Sequence, residues 1–320
     1  MSFPVFDLHC DTTFALLGKD FCRAGSLKEN ECHIDLKRAA TLPGYAQCFA
    51  CFTTVDAPAS SGLSKIDAVQ LFERELATFH RELERNSDKI RQAFTAKDIR
   101  ENLQKGIMSG ILTIEGPAGF GFDPALLEDL YKVGFRITTL GWNEKNPLCG
   151  SHVTGGGLTD LGREYVKEAQ RLGMIVDVSH ISDEGFWDIM DITNAPVIAS
   201  HSNSRSVHNI SRNITDEMFA AICNTGGVTG INLYADFVGG KADLNAVCDH
   251  IFHFLDTDTE GSHVALGGDL DGAYPLPEGF SGVQDYPKLA KVLIQQGLDE
   301  KIVENIFWNN ALGVIERCCI

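Results

Sequence analysis

The 320-residue chain has no hydrophobic run long enough to cross a bilayer, which excludes a helical membrane span. Positive charge is scarce: 27 Lys and Arg stand against 44 Asp and Glu, a formal net charge of −17. Nucleic acid and anionic membranes need clustered cations, so neither is expected as a partner. No basic segment, apolar stretch and cleavage site open the sequence, and the expected location is the cytoplasm. The nucleotide fingerprint GxGxxG is missing, and Gly155-Gly156-Gly157 is a loop that follows no strand. No CxxC is matched by a second. Cys48 and Cys51 form a lone pair inside an apolar run, which argues against structural zinc. The ten cysteines (10, 22, 32, 48, 51, 149, 223, 248, 318 and 319) are expected to be mostly small buried hydrophobes. Cys318-Cys319-Ile320 is not a prenylation motif. No Pro-rich or low-complexity linker divides the chain, so residues 1–320 are expected to form one domain.

What is present is alternation. Strand-like segments fall at 5–8, 47–53, 108–114, 136–140, 174–178, 197–199, 228–232 and 264–267. Helical spacing fills the gaps. In 64–85 it is carried by Ile66, Val69, Leu71, Phe72, Leu76, Phe79 and Leu83. A Thr cap opens 159–172 and Gly173 ends it. Further helices are expected at 182–190, 215–223 and 244–255, with one or two closing helices in 284–312. Eight strands with helices between them predict an α/β fold, a distorted (β/α)8 TIM-type barrel; a doubly wound open sheet is the rival.

Barrel enzymes place their chemistry at the C-terminal ends of the strands. The first strand runs into Phe6-Asp7-Leu8-His9-Cys10-Asp11-Thr12, where period-two geometry points His9 and Asp11 the same way. The third ends in Glu115-Gly116, the fifth in His180, the sixth in His201 and the eighth in Asp269. Each has a plain alternative alone. A His after a strand is commonly a hydrogen-bonding residue, Glu115 is a loop carboxylate or helix cap, and Asp269 and Asp271 are turn residues. Five such endings on one rim point instead to a metal site. Nitrogen and oxygen ligands without thiolate suit two catalytic zinc-like ions, with Glu115 bridging, His9 and Asp11 on one and His180 and His201 on the other. Such a pair holds a bridging hydroxide and polarises a carbonyl, and Asp269 is placed to shuttle a proton to a departing amine. The fourth strand offers no Lys at its end for carboxylation, which favours Glu115 as the bridge.

These residues resemble the membrane (renal) dipeptidase family of the amidohydrolase superfamily. The motifs Asp7-Leu8-His9-Cys10-Asp11-Thr12, Ile114-Glu115-Gly116, Asp177-Val178-Ser179-His180, Ser200-His201-Ser202 and Gly267-Gly268-Asp269-Leu270-Asp271-Gly272 carry the resemblance in order. It implies a binuclear zinc dipeptidase, with His9, Asp11 and Glu115 on one zinc, Glu115, His180 and His201 on the other, and Asp269 as acid/base. It also implies that Arg212 binds the substrate's terminal carboxylate and that Tyr234 lines the substrate pocket. Without it, Arg212 reads as a surface or capping residue and Tyr234 as a buried aromatic. A dimer and tolerance of a C-terminal D-residue are further family expectations.

One position departs from the pattern. Where mammalian members carry a substrate-contacting His, this chain has Trp142, followed by Asn143. Either Trp142 Nε1 or Asn143 replaces that donor, or the metals polarise alone. His152, in the Gly-rich loop, either folds back over the site or has a local role. The expected function is hydrolysis of dipeptides. The alternatives are a two-metal N-acyl-amino-acid deacylase or lactonase, and a non-catalytic metal- or peptide-binding barrel. The same ligands also accept manganese or iron.

Overall fold

The computed structural model describes residues 3–17, 25–55 and 67–319. Cys22, residues 64–66 of the first expected helix and Ile320 lie outside them. Among the described residues there are nine strands: β1 Val5–Cys10, β2 Tyr45–Phe52, β3 Ile90–Gln92, β4 Met108–Glu115, β5 Phe135–Thr139, β6 Ile175–Asp177, β7 Val197–Ile198, β8 Thr229–Ile231 and β9 Val264–Leu266. All pairings are parallel, in the order β7-β6-β5-β4-β2-β1-β9-β8. A parallel bridge from Ala199 to Thr229 joins β7 to β8 and closes the eight-stranded barrel.

The eight expected strands all occur, with ends shifted by one or two residues. The ninth, β3, was not expected. It pairs with the first half of β4, Ile90 opposite Met108 and Gln92 opposite Gly110, while β5 pairs with the second half from Leu112 onward. Two strands thus share one edge of β4, which distorts the barrel there. In the β1–β2 pairing the register shifts between Asp7 and Cys10, the stretch that carries His9; such irregularities re-aim side chains.

Strand alternation divides the core. Phe6, Leu8, Ala46, Cys48, Ile111, Ile137, Ile175, Ile198 and Ala265 pack together with Trp308, Leu312 and Ile315. This is the barrel interior, closed at its lower end by the helix Asn310–Cys318. The Phe6 and Trp308 rings lie 5.8 Å apart. Alternate residues, among them Phe49, Leu112, Ile114, Phe135 and Val176, face the surrounding helices. The expected caps are present: the Thr159 side chain accepts from Gly162 N, and Gly173 ends that helix in the left-handed conformation. The closing segment differs from expectation in detail. It resolves into Tyr286–Gln295, Glu300–Glu304 and Asn310–Cys318, the last two joined by a π-turn at Asn305–Asn309. Among the described residues eight cysteines are free, seven of them buried, and Cys32 is disulfide-bonded. No helix among these residues is long and apolar enough to cross a membrane.

Candidate metal centre

The rim above this core gathers the ligand-type residues. His9 lies near the end of β1 and Asp11 just past it, Glu115 ends β4, and His180, His201 and Asp269 follow β6, β7 and β9. They converge. Glu115 Oε2 is 3.3 Å from His9 Nε2, while Glu115 Oε1 is 3.0 Å from His180 Nε2 and 3.8 Å from His201 Nε2. The His9 nitrogen also lies 3.5 Å from Asp11 Oδ2 and 3.9 Å from Asp269 Oδ1. The Nε2 atoms of His180 and His201 are 2.9 Å apart, and the His9 and His201 rings stack at 3.8 Å. His9, Glu115 and His201 form one grouping suited to a metal ion; His9, Asp11 and Asp269 form another.

Buried polar groups hold this arrangement from behind. Asp7 accepts from His9 N at 2.9 Å and from Gly268 N, tying β1 to the β9 loop, and also binds Tyr286 Oη. Asp177 does the same across β6 and β7, accepting from the backbone of Ser179 and Ser200, each at 2.9 Å. The Ser200 hydroxyl donates to Asp177 and faces His201 Nδ1 at 2.6 Å, leaving Nε2 turned to the centre. His180 Nδ1 meets Asn143 Oδ1 at 2.9 Å. Asn232 Nδ2 donates to Asp269 Oδ2 at 3.1 Å. His180 and Asp269 hold left-handed backbone angles, φ 71° and 54°. Non-glycine residues tolerate these only where the surroundings fix them, and such strain gathers at functional sites.

The electrostatics call for cations. Burial raises Asp11 to about 6 and Asp269 to about 7, with Glu115 adding to both and Asp11 to Asp269. Burial, with Arg212 and His9 nearby, pushes His180 and His201 well below the usual imidazole range. For His9, burial pulls down but Glu115 and Asp11 outweigh it, and the net direction is upward. Two buried carboxylates, Asp11 and Glu115, and the partly buried Asp269 therefore surround an imidazole whose Nε2 has no hydrogen-bond partner. Divalent cations fit this donor set: they satisfy that nitrogen, take up the His180 and His201 lone pairs, and offset the clustered negative charge.

A cavity of about 300 Å³ opens over these groups. Trp142 forms part of its wall, edge-on to Phe52 with centroids 5.1 Å apart, and Phe52 meets Phe14 the same way at 5.7 Å. Asn143 also lines the cavity, its carbonyl oxygen turned to His180. Tyr234 stands on the opposite wall with its hydroxyl on Asp236 at 2.8 Å and its ring against Phe237. Arg212 is buried beside the cavity, its guanidinium 5.5 Å from the Phe237 ring centre. Nη1 donates to Ser202 Oγ at 2.9 Å, while Nε and Nη2 are buried without partners. His152 stands apart from the cavity-lining residues, behind Asn143.

Sequence reasoning did not assign roles to Asp177, Ser200, Asn232, Phe14 or Phe52. The repeated Ser-His pairs, Ser179-His180 and Ser200-His201, were visible. That Ser200 links His201 to Asp177 depends on pairing across β6 and β7.

A parallel barrel with a clustered His/carboxylate set at its C-terminal rim is the architecture of a metal-dependent hydrolase. The membrane dipeptidase family, peptidase family M19, matches residues 1–318, and the chain belongs to this family of metal-dependent dipeptidases. A solved metallopeptidase of the family, dipeptidase AC, superposes with a TM-score of 0.87 at 26% identity, covering 100% of this chain and 99% of that one. A metallopeptidase from Rhodobacter sphaeroides, liganded with a phosphinate mimic of the dipeptide L-Ala-D-Ala, superposes with a TM-score of 0.85 at 27% identity, covering 99% of this chain and 100% of that one. An uncharacterized dipeptidase of Schizosaccharomyces pombe is 34% identical over 214 residues, 65% of this chain. The match spans 52%, about half, of the yeast protein's length.

Proposed function

We propose that the chain cleaves the peptide bond of dipeptides at a pair of divalent cations, zinc by preference, with His9 and Asp11 on one, His180 and His201 on the other, and Glu115 shared. One observation carries this reading: the two oxygens of Glu115 are divided, Oε2 to His9 at 3.3 Å and Oε1 to His180 at 3.0 Å. A cation pair held there supplies Lewis acidity to the scissile carbonyl and makes water a nucleophile at neutral pH.

The chain's own residues do the rest. Asp269, anchored by Asn232, takes the proton from the attacking water and passes it to the leaving amine. In the metal-free chain burial and the neighbouring carboxylates raise it above the ordinary carboxylate range, and its place beside His9 and Asp11 is what suits it to take up and return the proton. Arg212 pairs with the substrate's terminal carboxylate through Nε and Nη2, the two nitrogens left without partners. A clamp on that terminus, at a set distance from the reacting carbonyl, favours dipeptides over longer chains. Asn143 keeps the Nε2 of His180 turned inward, while Trp142 and Tyr234 shape the walls. The ligand of the Rhodobacter sphaeroides relative supports extending the substrates to dipeptides with a C-terminal D-residue.

The test is removal of metal by a chelator, return of zinc, manganese or ferrous iron, and assay of L,L and L,D dipeptides beside N-acyl amino acids. Activity is expected to vanish and to return with two cations per chain. Equal activity with and without metal overturns the mechanism. Faster turnover of N-acyl amino acids than of any dipeptide moves the assignment to a deacylase.

A further inference from the structure

The loop carrying His152 is stitched to the metal centre along its length. Ser151 forms a bridge with Ile181, and its hydroxyl donates to the Asn143 backbone carbonyl at 2.7 Å. His152 N donates to the carbonyl of His180 at 2.8 Å, bracing the residue whose backbone is left-handed. The imidazole itself spans two elements. Its Nε2 is 2.9 Å from Asn143 Oδ1, the same oxygen that His180 Nδ1 meets at 2.9 Å. Its Nδ1 is 3.1 Å from Ser211 Oγ, and Ser211 precedes Arg212.

Hydrogen-bond logic sets the protons. An amide oxygen only accepts, so both His180 Nδ1 and His152 Nε2 carry hydrogens toward it. His180 then presents an Nε2 lone pair to the centre, as a metal ligand must. His152 Nδ1, without a proton, accepts from the Ser211 hydroxyl. A neutral imidazole has one donor and one acceptor, and this geometry uses both.

We propose that His152 is a positioning residue that fixes the tautomer of His180 through Asn143 and the seat of Arg212 through Ser211, so that cation site and carboxylate clamp keep a set separation. The inference rests on the dipeptidase reading, because only a substrate of fixed length makes that separation matter. A dipeptide's reacting carbonyl and terminal carboxylate are a few bonds apart, and small misplacement of either partner is costly.

Two arms give two readouts. His152→Phe keeps a ring and removes both nitrogens. It is expected to raise KM for dipeptides about tenfold and to weaken cation binding about tenfold, the range seen when a ligand's supporting partner is lost. Cobalt(II) absorption on the metal-stripped protein reads the second effect without any substrate. Ser211→Ala cuts only the clamp arm. It is expected to raise KM several-fold while kcat and the cobalt spectrum stay as in the unsubstituted protein. His152→Gln, which retains a donor and an acceptor, is expected to restore most of the cobalt affinity. A folded His152→Phe protein with unchanged KM and unchanged cobalt titration overturns the proposal. If His152→Phe does not fold, Ser211→Ala decides: an unchanged KM overturns the clamp arm. Failure of the dipeptidase reading shows separately, as an unsubstituted protein that binds cobalt and cleaves no dipeptide.

Discussion

Gly272 sits between two carboxylates that the centre needs, so a single added methyl group tests both. Its backbone lies outside the left-handed region, and alanine there meets no conformational penalty. Space is the obstacle. A Cβ on Gly272 would stand 2.0 Å from Asp11 Oδ2 and 2.7 Å from Asp269 Oδ1. Ordinary contact begins near 3.4 Å, so the Asp11 oxygen must retreat by about 1.4 Å. Metal–carboxylate bonds of about 2.0–2.2 Å tolerate errors of roughly 0.2 Å. A displacement several times larger removes Asp11 as a ligand, and loss of even a supporting partner costs about 10–100-fold in affinity. On the proposed two-cation reading, Gly272→Ala is therefore expected to bind one of the cations at least about tenfold more weakly and to lose at least about 100-fold in kcat. Overpacking itself costs roughly 1–3 kcal/mol of stability. Calorimetric titration of metal-stripped protein with zinc measures the first effect and dipeptide turnover the second. Two tight cations and unaltered turnover in this variant would refute the placement of Asp11 on the metal.

Arg212→Met is expected to raise KM for dipeptides about 10–100-fold, the worth of hydrogen bonds to a charged group, and to leave dipeptide amides almost unaffected; comparing the two substrate series checks it. Ser200→Ala, which leaves His201 Nδ1 without its hydroxyl partner, should weaken zinc binding about 10–100-fold in a competition assay. The chelator-treated protein should lose stability as pH rises from 6.5 to 8. The folded chain, with Asp269 at about 7 and His9 raised by Glu115 and Asp11, still holds protons there that the unfolded chain has shed, which outweighs the protons that unfolded His180 and His201 carry near pH 6.5 and their buried forms do not. Thermal melts across that window, with and without zinc, measure the slope, and a rise in stability with pH would contradict the assigned burial effects.

Much of the barrel was legible because buried parallel strands read as apolar runs, and the polar residue that ends each run is the one a barrel enzyme uses. Glu115, His180, His201 and Asp269 were found this way, and the structure brings them together. β3 escaped because Ile90-Arg91-Gln92 is three residues long with one apolar side chain, too short for any period. The Asp177–Ser200–His201 chain escaped for another reason: Asp177 and Ser200 are 23 positions apart and meet only through strand register. His152 was ambiguous because a loop's path across a rim is set by contacts made after folding. Phe14 and Phe52 belong to apolar segments whose core role hides their second use as a wall.

The two mouths of this barrel are fastened by opposite physics. Trp308 and the helix that follows it cork the lower mouth with apolar contact that strengthens on warming from the cold and needs no counter-ion. The upper mouth crowds carboxylates and imidazoles from the ends of β1, β4, β6, β7 and β9, and bound cations would offset their mutual repulsion. Metal starvation should therefore loosen only the upper end, where hydrogen exchange would quicken first, while the corked end waits intact for the ions to return.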